Sequence, residues 1–179
     1  MIKPKVHPRS SGSRKKNVIP LSNLRASEVV RTVVDHPRRL EELVNLLQEK
    51  ERSLRGRAAA TLARLSESHP TRLIKHLEQL REALGDDSAY VRWHLIYALG
   101  QVISRFPRRA SFSLADVSGR LTDENNLVRS FACRALEEVA RRAPEMVQAL
   151  FSKNKEAIPP SLSRVLQGAG SSTGRQKIQ

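Results

Sequence analysis

The sequence predicts an all-α fold, a right-handed α-solenoid of about three helix pairs with half-repeat caps, and two observations predict it. Pro70, Pro107 and Pro144 stand 37 residues apart, and Leu54-Arg55, Val91-Arg92 and Val128-Arg129 keep the same step, as do Asp86 and Asp123. Apolar residues follow this register with helical spacing: Leu73, Leu77, Leu80 and Leu84 superpose on Ala110, Leu114, Val117 and Leu121.

Each segment reads in order. Residues 1–23 hold six Lys/Arg, no acid, and several Pro, Ser and Gly, so they cannot bury enough apolar surface to order themselves and are expected as a basic disordered tail. Residues 24–35 form a lone B-type helix. Leu40, Val44 and Leu47 mark the first A helix, whose Pro37 lies 33 before Pro70, as a turn four residues shorter requires. The B helices follow in columns Leu54/Val91/Val128, Ala58/Leu95/Ala132, Ala59/Ile96/Cys133, Leu62/Leu99/Leu136 and Leu65/Val102/Val139. Asp86-Asp87-Ser88 and Asp123-Glu124-Asn125-Asn126 offer N-cap oxygens to helix B, and the marker prolines suit the first turn of helix A. Beyond Pro144 the pattern decays, with Val147 and Phe151 in phase and Asn154 out of it, until Pro159-Pro160; Leu162, Val165 and Leu166 suit a short closing helix. The repeat domain is expected over 24–167, and the Gly/Ser-rich stretch 168–179 as a flexible tail.

DDSAYVRWHLIYALGQV (86–102) and DENNLVRSFACRALEEV (123–139) resemble the HEAT-repeat family, with its acidic turn, Val-Arg pair and small-then-large apolar residues. The likeness spans roughly residues 38–144; the first repeat departs from it, carrying KERSLR where the acidic turn is due. The resemblance implies a structural ladder of Asp86, Arg92, Asp123 and Arg129 that fixes repeat stacking. It implies adaptors, scaffolds, transport factors and some nucleic-acid binders, and so leaves function open.

Composition narrows the function classes. No apolar run is long enough to span a membrane. The single cysteine, Cys133, on a B-helix face expected to be buried, excludes an internal disulfide and suits a reducing, cytoplasmic setting. Net charge is +14, yet the 35 tail residues carry eight of those charges. Five histidines show no ligand spacing, and phosphate loops, nucleophile elbows and paired acids are missing, so no catalytic residue, metal or cofactor is expected. Helical-repeat DNA glycosylases share the architecture, but Glu138 lies one repeat from Trp93 and matches their site poorly.

Three sets of residues remain. Arg55, Arg92 and Arg129 repeat in phase, which argues for a structural role. Arg38, Arg39, Arg72, Arg105, Arg108, Arg109 and Arg142, with Arg141, gather at the turns between repeats as a basic ridge, opposite an edge of Glu49, Glu51, Asp86, Asp87, Asp123 and Glu124. Arg38, Arg39, Arg72, Arg108 and Arg109 lie in first turns of A helices, where a cation opposes the helix dipole. The inner face expected of B helices carries Arg57, Trp93, His94, Tyr97 and Arg134. There Trp93 and Tyr97 suit a peptide anchor or a base-stacking platform, or else fill space beside Gly56 and Ser130. The expected function is a non-catalytic scaffold docking a protein partner, acidic in character; the alternative is a nucleic-acid binder using the Arg-rich edge and the tails.

Overall fold

The computed structural model describes residues 19–154 and 158–173 of the 179-residue chain. Residues 1–18 and 174–179 of the expected tails lie outside the described residues.

Helix α1 (Ala26–Asp35) opens the array as a half-repeat. Three helix pairs follow. In each, the B helix is a continuous 17-residue rod: α3 (Arg52–Ser68), α6 (Ala89–Arg105) and α9 (Asn126–Arg142). The A segments, expected as single helices, break instead into short helices joined by 3-10 turns. These are α2 (Leu40–Asn45), then α4 (Pro70–Leu73) with α5 (Leu77–Glu82), then α7 (Pro107–Ala110) with α8 (Leu114–Gly119). The breaks between α4 and α5 and between α7 and α8 fall at Ile74–His76 and Ser111–Ser113, runs containing residues of middling helix propensity. A fourth pair, α10 (Pro144–Asn154) and α11 (Pro160–Thr173), closes the array.

Punctuation is local chemistry. Pro37, Pro70, Pro107 and Pro144 each occupy the first position of a helical segment, where the missing N–H has no partner to lose. The residues before the first three, His36, His69 and Phe106, are pushed out of helical geometry to φ −128, −134 and −132°, which ends each B helix. The acids cap less directly than expected. Asp86 and Asp123 accept the N–H of Ser88 and Asn125, two residues on, closing the turn rather than the helix. Asn125 is the N-cap proper, accepting from the N–H groups of Leu127 and Val128.

The core lies between the A and B layers. Leu62, Leu99 and Leu136, one per repeat, are each 0% exposed and stack along it; burying each contributes about 1.5–3 kcal/mol. Helices α6 and α9 approach so closely that a Cβ on Gly100 would lie 2.7 Å from that of Ala135.

Four residues or segments differ from the sequence pattern. Leu21, inside the stretch read as tail, is 1% exposed, and its N–H donates to Glu42. Helix α11 runs to Thr173, six residues into the stretch read as flexible. Leu54 is only half-buried, because a three-residue turn, Leu21–Asn23, stands where a full preceding repeat would cover it. Cys133 is half-buried as well, its sulfur 3.2 Å from the Ser161 hydroxyl of α11.

Candidate partner-binding surface

The in-phase arginines stitch neighbouring repeats together. Arg92 Nε and Nη2 donate to the two carboxylate oxygens of Asp123, in the next repeat, at 2.9 and 2.8 Å. Its Nη1 donates to the carbonyls of Asp86 and Asp87 in its own turn. Arg55 repeats the arrangement, pairing with Asp86 and Asp87 at 2.6 Å each and donating to the carbonyls of Glu49 and Lys50. Arg129 finds the same carbonyls, those of Asp123 and Glu124, and the side chain of Asn126, but among the described residues no carboxylate. Burial of Asp123 opposes its ionisation, yet the Arg92 guanidinium and the Asn125 N–H overcome it and hold its carboxyl below the ordinary 3.8. Asp86 is lowered in the same way, burial being outweighed by Arg55 and the Ser88 N–H. Much of the acidic edge is thereby neutralised within the fold.

The basic ridge divides. Arg72 donates to the Val33 and Val34 carbonyls at the end of α1, and Arg105 to the Ser66 carbonyl at the end of α3. Both neutralise the negative ends of preceding B helices, which is the local reason a cation at Arg72 is tolerated in a first turn. Arg39 pairs with Glu42, and Arg141 and Arg142 with Glu138. Arg38, Arg108 and Arg109 are exposed, with no ion pair among the described residues.

On the face of the B layer turned away from the A helices, Trp93 is half-buried, its ring stacked on Phe131 at 4.7 Å and on the neighbouring His94 at 3.4 Å. His94 is 7% exposed and bonded to the Tyr90 carbonyl, and burial pushes its imidazole below its ordinary value. Tyr97 donates to Glu67. The expected Trp-Tyr pair is thus an internally braced aromatic cluster, filled from Phe131 of the next repeat. Arg57 donates to the carbonyls of Ser22 and Leu24, and Arg134 lies over the Phe131 ring. The open apolar side chains are others: Tyr90 and Leu127, 51% and 48% exposed. They stand 37 residues apart, off the core stripe, and that phase was the signal available in the sequence.

Two grooves cut this face. One of about 380 Å³ runs between α6 and α9, lined by Tyr97, Phe131, Arg134, Glu138 and Arg141 among others. The second, about 630 Å³, lies over Gly56 between α1, α3 and α6. Among the described residues no group of three or more His, Cys, Asp and Glu is placed to hold a metal, and no helix is long and apolar enough to cross a membrane.

Comparison with known proteins bears on the fold. A family model described as HEAT repeats matches residues 40–112 and 77–158. No curated protein matches the chain. An engineered protein superposes with a TM-score of 0.62 at 22% identity, over 83% of this chain and 69% of that one. Computationally designed armadillo repeat proteins for modular peptide recognition superpose with a TM-score of 0.60 at 20% identity, over 84% and 71%. A designed armadillo repeat protein in complex with the peptide (KR)4 gives 0.59 at 17% identity, over 89% and 80%. Likeness at these identities speaks for the fold alone.

Proposed function

The chain belongs to the HEAT-repeat family, and from that premise we propose that it is a non-catalytic docking module that binds a protein partner on the face of its B helices turned away from the A helices. One observation carries this reading. Tyr90 and Leu127 stand exposed one repeat apart on α6 and α9, Tyr90 lining the larger groove and set edge-on to Trp93, whose ring is stacked on Phe131. Large exposed apolar residues set on a rigid, pre-organised surface favour association, because little side-chain freedom is lost on contact. The fold neighbours include proteins that recognise peptides, which agrees with this use of the scaffold. A nucleic-acid reading draws on the +14 net charge and on Arg38, Arg108 and Arg109.

The test is affinity capture by the full chain and by its Leu127→Arg variant from source-cell extract, each with and without nuclease. The expected result is a protein bound by the unaltered chain after nuclease treatment and lost with Leu127→Arg. Equal recovery by both forms, or recovery abolished by nuclease, refutes it.

A further inference from the structure

The larger groove has a charge pattern that the docking reading alone does not use. Its floor is made of small residues of α3, Gly56 and Ala60, and Tyr90 of α6 forms one wall, its ring 3.3 Å from where a Gly56 Cβ would be. Arg52, Arg57 and Arg64 line it, and among the described residues no carboxylate does. Of the acids flanking this stretch of α3, Glu51 accepts from the hydroxyl of Ser53, itself a lining residue, and Glu67 from that of Tyr97. Arg57 is held by two backbone carbonyls, which fix the guanidinium without neutralising its charge. Three like charges therefore face one open, partly apolar channel.

We propose that this groove takes an acidic, extended peptide segment of the protein partner, with carboxylates at its two ends and an apolar residue between them. The inference rests on the docking reading and names the partner's chemistry. Twelve residues of α3 separate Arg52 from Arg64, about 18 Å at helical rise. An extended chain covers that length in about five or six residues. Carboxylates about five positions apart then meet the two exposed guanidiniums, whose planar forks suit them, while the middle residue lies against Tyr90. Gly56 has no Cβ, and the Tyr90 ring packs against it where one would stand, which fixes the apolar wall of the channel.

The experiment uses the full chain and three fluorescein-labelled hexapeptides, Glu-Ser-Leu-Tyr-Ser-Glu and its counterparts with Gln or Lys at both ends, read by fluorescence anisotropy. The acidic peptide should bind about tenfold more tightly than the Gln peptide, and the Lys peptide more weakly still. Arg52→Glu with Arg64→Glu should abolish the difference, whereas Arg108→Glu with Arg109→Glu, the same charge change off the groove, should leave it within about twofold. Helical melts of both double variants check that they fold. The proposal is overturned if both double variants lose binding equally, if the Gln or Lys peptide binds as well as the acidic one, if a single-stranded oligonucleotide displaces the acidic peptide at equal charge concentration, or if no saturable binding occurs by about 1 mM. Loss of capture by Leu127→Arg together with failure here would leave the docking reading standing and remove only the acidic segment.

Discussion

Replacing Arg92 with Met tests whether the arginine ladder holds the repeats together. The guanidinium is 7% exposed and its main partner, the Asp123 carboxylate, 3%. Met keeps most of the apolar stem and deletes the donors to both Asp123 oxygens, to Glu124, and to the Asp86 and Asp87 carbonyls. Asp123 is then left buried with only the Asn125 N–H and, at 3.9 Å, Arg120. Removing one member of a buried pair costs about 3–5 kcal/mol, and the surviving partners of Asp123 place this case near 3. For a domain of this size about 3 kcal/mol lowers Tm by roughly 6–12 °C, which thermal denaturation followed at 222 nm resolves easily. The comparison within the ladder is sharper than the single value. Arg55→Met should cost less, because Arg55 is 14% exposed and one of its partners, Asp87, is 74% exposed. Arg129→Met should cost about 1 kcal/mol or less, because among the described residues no carboxylate is orphaned. An Arg92→Met variant melting within about 2 °C of the parent, or an order in which Arg129→Met is the most damaging, refutes the account.

Other outcomes follow from packing and titration. Leu99→Arg, at a position 0% exposed between Leu62 and Leu136, should abolish the cooperative melt, while Glu138→Arg, which loses only surface pairs with Arg141 and Arg142, should shift it by about 1 kcal/mol or less; an intact melt for Leu99→Arg would sink the register. Gly100→Ala should destabilise by about 1–2 kcal/mol, since relieving its 2.7 Å contact with Ala135 outweighs the gain in helix propensity, whereas Gly119→Ala, with nothing within 4 Å, should stabilise by about 0.5 kcal/mol; equal signs in urea titrations would contradict the geometry. Burial holds His94 and His76 below the ordinary 6.5, so below about pH 6.5 the unfolded chain binds more protons than the folded one, and the urea midpoint should fall as pH drops from 7.5 to 5.5, less steeply in His94→Gln. The lowered carboxyl of Asp123 acts in a separate window: its contribution is complete above the ordinary value near 3.8 and is lost as pH falls further, so Asp123→Asn should flatten that acid limb.

The sequence made the B helices legible because their apolar columns and Val-Arg pairs recur without a gap, so a 3.6-residue period and a 37-residue period reinforce one another. The A helices were legible as helical stretches but not as broken ones: their apolar face survives a switch to 3-10 geometry at Ile74–His76 and Ser111–Ser113, and periodicity does not register so small a change of pitch. The ends were the hardest to read. Leu21 is a single apolar residue in a polar, proline-rich stretch, and what orders it is a carboxylate 21 positions away, on Glu42. On the B-helix face, Trp93 stood out by its type and Tyr90 and Leu127 by nothing but phase. The braces that bury half of Trp93 come from Phe131, one repeat on, a contact the 37-residue register places but single-residue inspection passes over.

Charge is where sequence and structure together say more than either. Read as a total, +14 suggests a polyanion. Read residue by residue, the arginines that bond across repeats fall into two electrostatic kinds, apart from Arg38, Arg108 and Arg109, which have no ion pair among the described residues. Arg55 and Arg92 are matched by carboxylates, so they hold the fold and project little field. Arg57, Arg72 and Arg105 are matched by carbonyls, which order the guanidinium and satisfy its N–H groups but leave a full positive charge at the surface. These residues serve the fold and attract anions at once, so a structural hydrogen bond does not remove them from the partner's side of the argument. Arg57 faces the groove over Gly56, with Arg52 and Arg64 beside it, whereas Arg72 and Arg105 lie at the inter-repeat edge. An acidic partner is then steered by the whole edge and held only where cations and an apolar wall coincide. It follows that charge reversal at the edge, as in Arg108→Glu, should slow association by no more than about twofold with little change in dissociation, while Arg64→Glu should raise the dissociation rate. Stopped-flow binding of the acidic hexapeptide at two salt concentrations separates the two, and identical kinetic signatures for both variants would mean that the groove adds nothing to the field around it.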